Sequence, residues 1–318
     1  MMARFCWSLL VVCALLAGAA VPVHAADAAA VKEIGITYVK FPLNVPAIVA
    51  CKKGLYEKEF GPDGITVTHP ELTAGPKQTQ ALAAGSVQFA SVLSSTSAIV
   101  ARANGIDLKV IAVFARAPKA FNIMAIDPAI KTVADLKGKI VAGAKGSLLN
   151  QLLFAALAKA GLAPSDIQFV NMPSSQAKAA VLGGSAAAAL VAGPGVPAVE
   201  AAGGRVIANG DGLVEGVIVV AVSGDFLNQH PDLVKRYLAV HDAALRFMRE
   251  QPEETCALVA AETKLGVDDV KRMLPWYDFN PAITARDTQD LEATQDFLLD
   301  NGMIEKKIAI ADLVATVR

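Results

Sequence analysis

Short apolar runs alternate with polar turns and helical segments along most of this chain. The runs rich in β-branched or small apolar residues predict strands at residues 34–38, 64–68, 87–92, 108–114, 121–126, 140–142, 167–170 and 187–191. A strand, a short loop and a helix in repetition are typical of parallel βαβ units, so the pattern predicts an α/β protein. The loops that follow the strands are then expected at the sheet edge where α/β proteins bind ligands.

The order of strands and helices restarts once, after residue 114. A further apolar run at residues 216–221 is followed almost entirely by helical segments. We therefore expect a second lobe inserted into the first, with Ala115 and Glu215 marking the two crossing segments. The predicted division is residues 26–114 plus 216–318 for lobe 1 and residues 115–215 for lobe 2. Two doubly wound sheets would then be joined by the two crossing segments.

The segment at residues 141–161 has the features of an anion site. An apolar strand breaks at Gly143 and Gly146, and Ser147 follows at a helix N-cap position. Free N–H groups in the first turn and the positive end of the helix dipole favour an anion there. Lys145 adds a full positive charge. The alternative is an ordinary strand-to-helix turn that binds nothing.

The N-terminus has the pattern of a secretory signal. Arg4 precedes an apolar run at residues 5–20, and residues 23–25 (VHA) fit the small-x-small cleavage rule. The run is short for a membrane-spanning helix, which needs about 20 residues. We expect residues 1–25 to be a cleaved signal peptide on a soluble exported protein, and a retained membrane anchor is the alternative.

Cleavage of that signal would leave two cysteines, Cys51 and Cys256. In an oxidising compartment two cysteines can form a disulfide. The sequence does not show that their Cα atoms lie within bonding reach. The alternative is a pair of small buried residues.

Composition excludes one broad class of partner. The chain has 318 residues, of which 54% are hydrophobic, and its net charge is −1. Such a chain lacks the basic surface that nucleic acid or an anionic membrane requires, so we expect no nucleic-acid partner.

No catalytic or metal-binding arrangement is found in the sequence. Lys145 precedes Gly146, the reverse of the order in a phosphate-binding P-loop. His69, His230 and His241 are far apart, and the last two are expected on helices at the surface or partly packed. We therefore predict a protein that is not an enzyme and that needs neither metal nor cofactor.

Two charged residues fall at the predicted crossings. The five N–H donors of Arg116 suit a carboxylate or sulfonate ligand, and an ion pair between the lobes is the alternative. Glu215 at the return crossing is a second candidate, for which a solvated hinge residue is the alternative.

Several motifs together resemble one family. They are residues 34–38 with Pro42, KGLYE at 53–57, QALAAGSVQF at 80–89, TVADLKGK at 132–139, Gly146-Ser147, and FLxxNGMI at 297–304. The chain resembles a periplasmic solute-binding protein of an ABC importer with the type II fold. It is most similar to the group of aliphatic-sulfonate, taurine and nitrate receptors and thiamine-precursor binders.

This resemblance implies a monomeric periplasmic receptor whose two lobes close on a small solute and deliver it to an inner-membrane permease. Aliphatic sulfonates and taurine are the first choice of ligand, and nitrate, a carboxylate or a pyrimidine-type thiamine precursor are alternatives. A pyrimidine-synthase-like enzyme on the same fold is a further alternative. The candidate ligand-binding residues are Tyr38, Phe41, Pro42, Asn44, Thr73, Gly75, Pro76, Ser94, Ser95, Thr96, Arg116, Lys145, Gly146, Ser147, Ser174, Gly193 and Glu215.

One stretch differs from the sulfonate receptors of this group. They tend to have an aromatic or acidic residue before the proline after the fourth strand of the second lobe. Here residues 191–195 read VAGPG. The small residues imply a roomier or differently shaped pocket.

Overall fold

The apolar runs form three sheets in a computed structural model that describes residues 31–317. The predicted signal peptide, residues 1–25, lies outside the described residues. The strands are β1 (Glu33–Gly35), β2 (Thr66–Thr68), β3 (Phe89–Ser94), β4 (Leu108–Arg116), β5 (Phe121–Ala125), β6 (Ile140–Gly143), β7 (Gln168–Asn171), β8 (Ala188–Ala192), β9 (Arg205–Asn209) and β10 (Val217–Ser223).

Helices connect and cover these strands. The α-helices are α1 (Val45–Lys52), α2 (Leu55–Phe60), α3 (Gly75–Ala83), α4 (Ser95–Ala103), α5 (Leu148–Lys159), α6 (Ser174–Leu182), α7 (Gly195–Ala201), α8 (Gly224–Gln229), α9 (Pro231–Glu250), α10 (Pro252–Thr263), α11 (Val267–Met273), α12 (Ala285–Asp300) and α13 (Ile310–Leu313). Short 3-10 helices include Pro42–Asn44, Pro118–Ala120 and Leu274–Trp276. Within residues 31–317, no helix combines the length and the apolar character needed to cross a bilayer.

The sheets separate along the sequence in the order predicted. Residues before 117 and after 216 supply the pair β1-β2 and the sheet β3-β10-β4, whereas the five-stranded sheet β7-β6-β8-β5-β9 comes entirely from residues 121–209. A parallel bridge between Ile36 and Phe89 connects the first two sheets. The lobe boundaries themselves stay a prediction.

Strand direction differs from the simple βαβ expectation. β10 is antiparallel to β3 and β4, and β5 is antiparallel to β8 and β9. These two strands are therefore exceptions to the parallel arrangement that is typical of βαβ units. Each follows a segment that passes between sheets, so it enters its sheet without a crossover helix on the face.

Burial on both faces explains why the central strands are continuously apolar. In β10, Ile218 and Val220 pack into one core cluster, while Val217 and Val219 pack into a cluster on the opposite face. The five-stranded sheet is likewise covered on both faces, because neighbouring residues of β8 enter two different clusters. A strand covered on both faces has no need of polar alternation.

His241 is more deeply buried than the predicted position, which was at the surface or partly packed. Its side chain is 2% exposed on α9 and lies against the Phe114 ring, with centroids 5.4 Å apart. The prediction was wrong because the apolar face of α9 covers β4 at this point. Burial lowers the pKa of His241 to about 4.

Replacing His241 with Leu should change how stability depends on pH. An unfolded histidine binds a proton near pH 6.5, so the wild type loses stability as pH falls from there to about 4. The leucine variant lacks this loss, and its stability relative to wild type should rise by on the order of 3 kcal/mol across that window. Urea unfolding of both proteins at several pH values measures this difference in stability. A difference in stability that does not change with pH would contradict the lowered pKa of His241.

Candidate ligand-binding site

A cavity of about 350 Å³ lies where the beginning of β5 and the end of β8 approach two other segments of the chain. Its lining is Phe41, Leu43, Ala120, Phe121, Ser174, Ser175, Lys178, Val191, Ala192, Gly193, Pro194, Gly195 and Tyr277. We call it the aromatic cavity. Three predicted site residues therefore line it together: Phe41, Ser174 and Gly193.

Rings from three distant segments supply much of its apolar surface. Phe41 precedes the 3-10 helix Pro42–Asn44 in an extended conformation and is 44% exposed. Phe121 begins β5, and Tyr277 follows the 3-10 helix Leu274–Trp276. The Tyr277 ring stacks on Phe279 at a centroid distance of 5.7 Å, which supports it from behind.

The polar groups of the cavity come mainly from α6. Ser174 and Lys178 are four residues apart and so lie on the same face of the helix. Pro173 at the N-cap supplies no side-chain bond, and the N–H groups of Ser174 and Ser175 have no partner among the described residues. Lys178 makes no ion pair within residues 31–317. This end of the cavity is therefore positive and has free donors.

Tyr277 adds a hydroxyl to this set. The residue is 8% exposed, and its hydroxyl has no hydrogen-bond partner in the described part of the chain. Burial raises its pKa above the usual range, so it remains a protonated donor at neutral pH. A β-carbon built on Gly193 would lie 3.9 Å from this oxygen, which places the hydroxyl close to the turn after β8.

The turn after β8 requires glycine at two positions, at one because of the backbone conformation and at the other because a side chain has no room. Gly193 has φ +50°, a left-handed conformation that other residues rarely adopt. A β-carbon at Gly195 would lie 2.7 Å from Val191 Cγ1. The Gly193 N–H donates to the Ala120 carbonyl at 3.2 Å, which joins the turn to the segment before β5. The predicted roominess at residues 191–195 thus coincides with the wall of the aromatic cavity.

Other predicted residues lie at the beginnings of α1 and α4, outside the lining of the aromatic cavity. Asn44 occupies the N-cap position of α1 but makes no capping bond, and its amide nitrogen donates to the Val39 carbonyl at 2.9 Å. Ser94 caps α4, so Ser95 and Thr96 belong to the helix rather than to the predicted loop. The Asn44 Oδ1 and Ser95 Oγ atoms are buried without a partner among the described residues.

In the predicted anion loop, polar groups of Lys145, Gly146 and Ser147 already hydrogen-bond to neighbouring residues of the protein. Ser147 caps α5 as predicted, accepting from the Asn150 N–H at 3.3 Å and donating to the Ala144 carbonyl. The backbone N–H groups of Lys145 and Gly146 donate to the side chains of Asn171 and Asn150, respectively. The Lys145 side chain is exposed. An anion site here stays a prediction, separate from the aromatic cavity.

Four other predicted residues lie near the bridge between Tyr38 and Glu71 and at the beginning of α3. Tyr38 is buried and forms a backbone bridge with Glu71. Thr73, before α3, and Pro76, in its first turn, are both exposed. Gly75 packs so closely on α4 that a β-carbon would lie 2.0 Å from Ser97 Oγ. None of these four is among the residues that line the aromatic cavity. Pro42 begins the 3-10 helix after Phe41.

Arg116 forms the ion pair that was its alternative interpretation. Its Nε and Nη2 atoms donate to the two carboxylate oxygens of Asp287, each at 2.6 Å. Its other donors reach Asp278 and the carbonyls of Asn280 and Ala282. All five N–H donors are thus used within the protein, and none is left for a ligand. We therefore leave Arg116 out of the proposed site.

Glu215 also has a partner on α12. Its carboxylate pairs with Arg286 at 2.5 Å, and its backbone N–H donates to Asp290 Oδ1 at 3.1 Å. The return crossing is therefore attached to the same helical turns that hold Arg116 through Asp287. Both charged crossing residues act in the framework of the structure, outside the aromatic cavity.

The two cysteines are free thiols in the structure. Cys256 is 4% exposed, Cys51 is half-buried, and both pack into the core around α1 and α10. Burial raises the pKa of the Cys51 thiol to about 12. The structure thus has no Cys51–Cys256 disulfide and is closer to the second alternative, with one of the two small residues buried and the other half-buried.

Sequence reasoning missed Lys178, Phe121 and Tyr277. The spacing of Ser174 and Lys178 on one helical segment was the one local signal available for the lysine. Tyr277 lies 84 residues after Gly193 in the chain, and nothing local connects the two. The described residues contain no group of three His, Cys, Asp or Glu side chains that could hold a metal ion.

Comparison with known families assigns the chain. The pattern described as NMT1/THI5 like matches residues 42–255, which is more than half of the sequence. The chain belongs to the NMT1/THI5-like family. This confirms the resemblance found in the sequence.

Several proteins that are similar to this chain have names that refer to sulfonates. A Bacillus subtilis (strain 168) protein named as an aliphatic sulfonates-binding protein is 30% identical over 304 residues, covering 94% of this chain and 91% of that protein. The periplasmic aliphatic sulphonate binding protein SsuA from Escherichia coli has a TM-score of 0.82 at 27% identity, covering 91% of this chain and 94% of that one. The alkanesulfonate-binding protein SsuA from Xanthomonas axonopodis pv. citri, bound to MOPS, has a TM-score of 0.80 at 26% identity, covering 90% and 98%. These structures confirm the predicted fold class.

The Asp290 carboxyl should make stability fall as pH rises. Burial raises its pKa to about 6, with the nearby Glu215 and Asp287 carboxylates adding to the shift and the Glu215 N–H and Arg286 opposing it. The native state therefore binds the proton more tightly than the unfolded chain, and its stability falls as pH rises from about 4 to 6. Asp290→Asn keeps an acceptor for the Glu215 N–H and removes the charge. We expect it to exceed wild type in stability by on the order of 2 kcal/mol at pH 7, and by much less at pH 4.

Chemical unfolding at pH 4 and pH 7 tests this expectation. Glu292→Gln is the matched control, since Glu292 is an exposed carboxylate on the same helix. The control should follow the wild type at both pH values. If Asp290→Asn brings no gain in stability at pH 7, the proposed cost of the buried charge is contradicted.

Proposed function

We propose that this protein is the soluble substrate-binding component of an ABC importer and that it captures a small anionic solute in the aromatic cavity. Membership of the NMT1/THI5-like family and the sulfonate-binding names of its relatives support the proposal. The observation that carries it is Lys178, a cation with no ion pair among the described residues, in a cavity that is otherwise mostly apolar. A molecule with a compact anionic head and an apolar body fits both parts.

A sulfonate matches the donors at the α6 end. Its three oxygens can accept from Lys178, from the N–H groups of Ser174 and Ser175, and from the Tyr277 hydroxyl. Hydrogen bonds to a charged group are shorter and about twice as strong as neutral ones. The first turn of α6 contributes the positive end of its dipole to the same place. We therefore favour a sulfonate as the ligand.

The wider function follows the predictions made from the sequence. We propose export to the periplasm through the signal at residues 1–25 and delivery of the solute to an inner-membrane permease by a monomeric receptor. Closure would bring residues 115–215 toward the remainder of the chain about the crossings near Arg116 and Glu215. We propose that the protein binds its solute without chemical turnover, as the names of its relatives suggest.

Substitution of Lys178 tests the position of the head group. We expect Lys178→Gln to weaken binding of pentane-1-sulfonate by about ten- to a hundredfold, since a hydrogen bond to a charged group contributes roughly 1.5–3 kcal/mol. Lys178→Arg keeps the charge and should retain most of the affinity. Isothermal titration calorimetry in Tris-chloride measures this; sulfonate buffers such as MOPS are avoided because they would compete.

Lys145→Gln is the matched control, because Lys145 belongs to the separate predicted anion loop. It should bind pentane-1-sulfonate like the wild type. Loss of affinity in Lys145→Gln with none in Lys178→Gln would move the head group to the beginning of α5. A wild type that unfolds cooperatively, and so is folded, yet binds no sulfonate would overturn the proposed ligand class.

A further inference from the structure

The three rings of the aromatic cavity form more than a generic apolar wall. Phe41, Phe121 and Tyr277 come from segments far apart in sequence, yet all line a single space. Tyr277 is supported by its stack on Phe279, and Phe121 packs against the cores on both sides of the cavity. Rings with few rotatable bonds present fixed faces, and aromatic pairs favour offset or edge-to-face contacts beyond their burial of area.

We propose, resting on the proposed function, that this cavity selects sulfonates whose body is an aromatic ring over sulfonates with an alkyl or ammonium-bearing tail. A flat ring can pack against the rings that line the cavity without losing conformational freedom. A flexible alkyl chain must be ordered before it makes the same contacts, and each fixed bond costs entropy. The preference therefore comes from the shape and rigidity of the lining residues.

Volume agrees with a ring-sized body. The cavity measures about 350 Å³, within the range of about 300–1,000 Å³ typical of pockets for drug-sized ligands. The lining includes the small residues Ala120, Ala192 and Gly193, which occupy little of this space. A one- or two-carbon sulfonate would leave much of the apolar lining without contacts.

Charge argues against a zwitterion such as taurine. None of the residues that line the aromatic cavity is acidic, and the single charged side chain among them is Lys178. An ammonium carried on the ligand body would lose its water without gaining a carboxylate partner. It would also lie in the same cavity as a like charge.

Matched ligands separate the effect of the ring from that of its size. Isothermal titration calorimetry in Tris-chloride would compare benzenesulfonate with cyclohexanesulfonate, hexane-1-sulfonate and taurine. We expect benzenesulfonate to bind about three- to tenfold more tightly than cyclohexanesulfonate, as an aromatic contact contributes, and taurine to bind most weakly. Cyclohexanesulfonate or taurine binding as tightly as benzenesulfonate would overturn the selection for a ring.

A variant connects the preference to the lining. Phe41→Leu removes one ring at an exposed position, so it should fold normally and bring the affinities for benzenesulfonate and cyclohexanesulfonate closer together. Phe169→Leu, a half-buried ring on β7 outside the cavity, is the control and should keep the wild-type ratio. An unchanged ratio in Phe41→Leu would remove Phe41 from the selecting surface.

The two proposals fail in distinguishable ways. If no sulfonate binds to the folded wild type, the proposed function fails and the selection for a ring fails with it. If hexane-1-sulfonate binds more tightly than benzenesulfonate, the receptor function remains and the ring selection alone is overturned.

Discussion

The buried ion pair between Arg116 and Asp287 holds the framework on which the site depends. Asp287 is 1% exposed, and burial alone would raise its pKa, but hydrogen bonds from Arg116 and Thr284 keep the pKa below its usual value. Removing one partner of such a pair costs about 3–5 kcal/mol, because the remaining charge is left buried. Since Glu215 is held by Arg286 and Asp290, both crossing segments are attached to the first turns of α12. The same helix reaches α5 through a buried bond between Gln151 and Thr294 at 3.0 Å. One helix thereby fixes the direction in which the chain leaves and re-enters the first sheets.

The aromatic cavity benefits from that fixed geometry because its lining comes from separate parts of the chain. Phe41 and Tyr277 belong to segments beside the first sheets, whereas Phe121, Lys178 and Gly193 belong to the five-stranded sheet and its helices. Contacts made by groups on rigid elements lose little freedom when a ligand binds, and this favours affinity. The charged group and the rings then have different tasks. The α6 end attracts the anion, and the rings discriminate between ligand bodies.

The sequence predicted what depends on local pattern and missed what depends on long-range contacts. Continuous apolar runs identified β4, β8 and β10 because burial on both faces leaves no polar alternation. Ser147 was recognisable as a cap because capping uses neighbouring residues. Asn44 also has a side chain able to cap a helix and lies at an N-cap position. Its amide nitrogen instead donates to the Val39 carbonyl, a contact that depends on how the preceding loop folds. Lys178 and Tyr277 became candidates only when their positions around one space were known.

The turn after β8 restricts how this receptor could change its ligand over evolutionary time. Gly193 is held at a positive φ angle, and Gly195 has no room for a β-carbon beside Val191. Stepwise enlargement of a side chain at either position would first damage the backbone and only then reshape the cavity. Descendants that acquire a new solute would therefore be expected to vary at Phe41 or on the exposed face of α6. Those positions can mutate without disturbing a buried contact, so diversification of substrate range would be channelled to one side of the cavity.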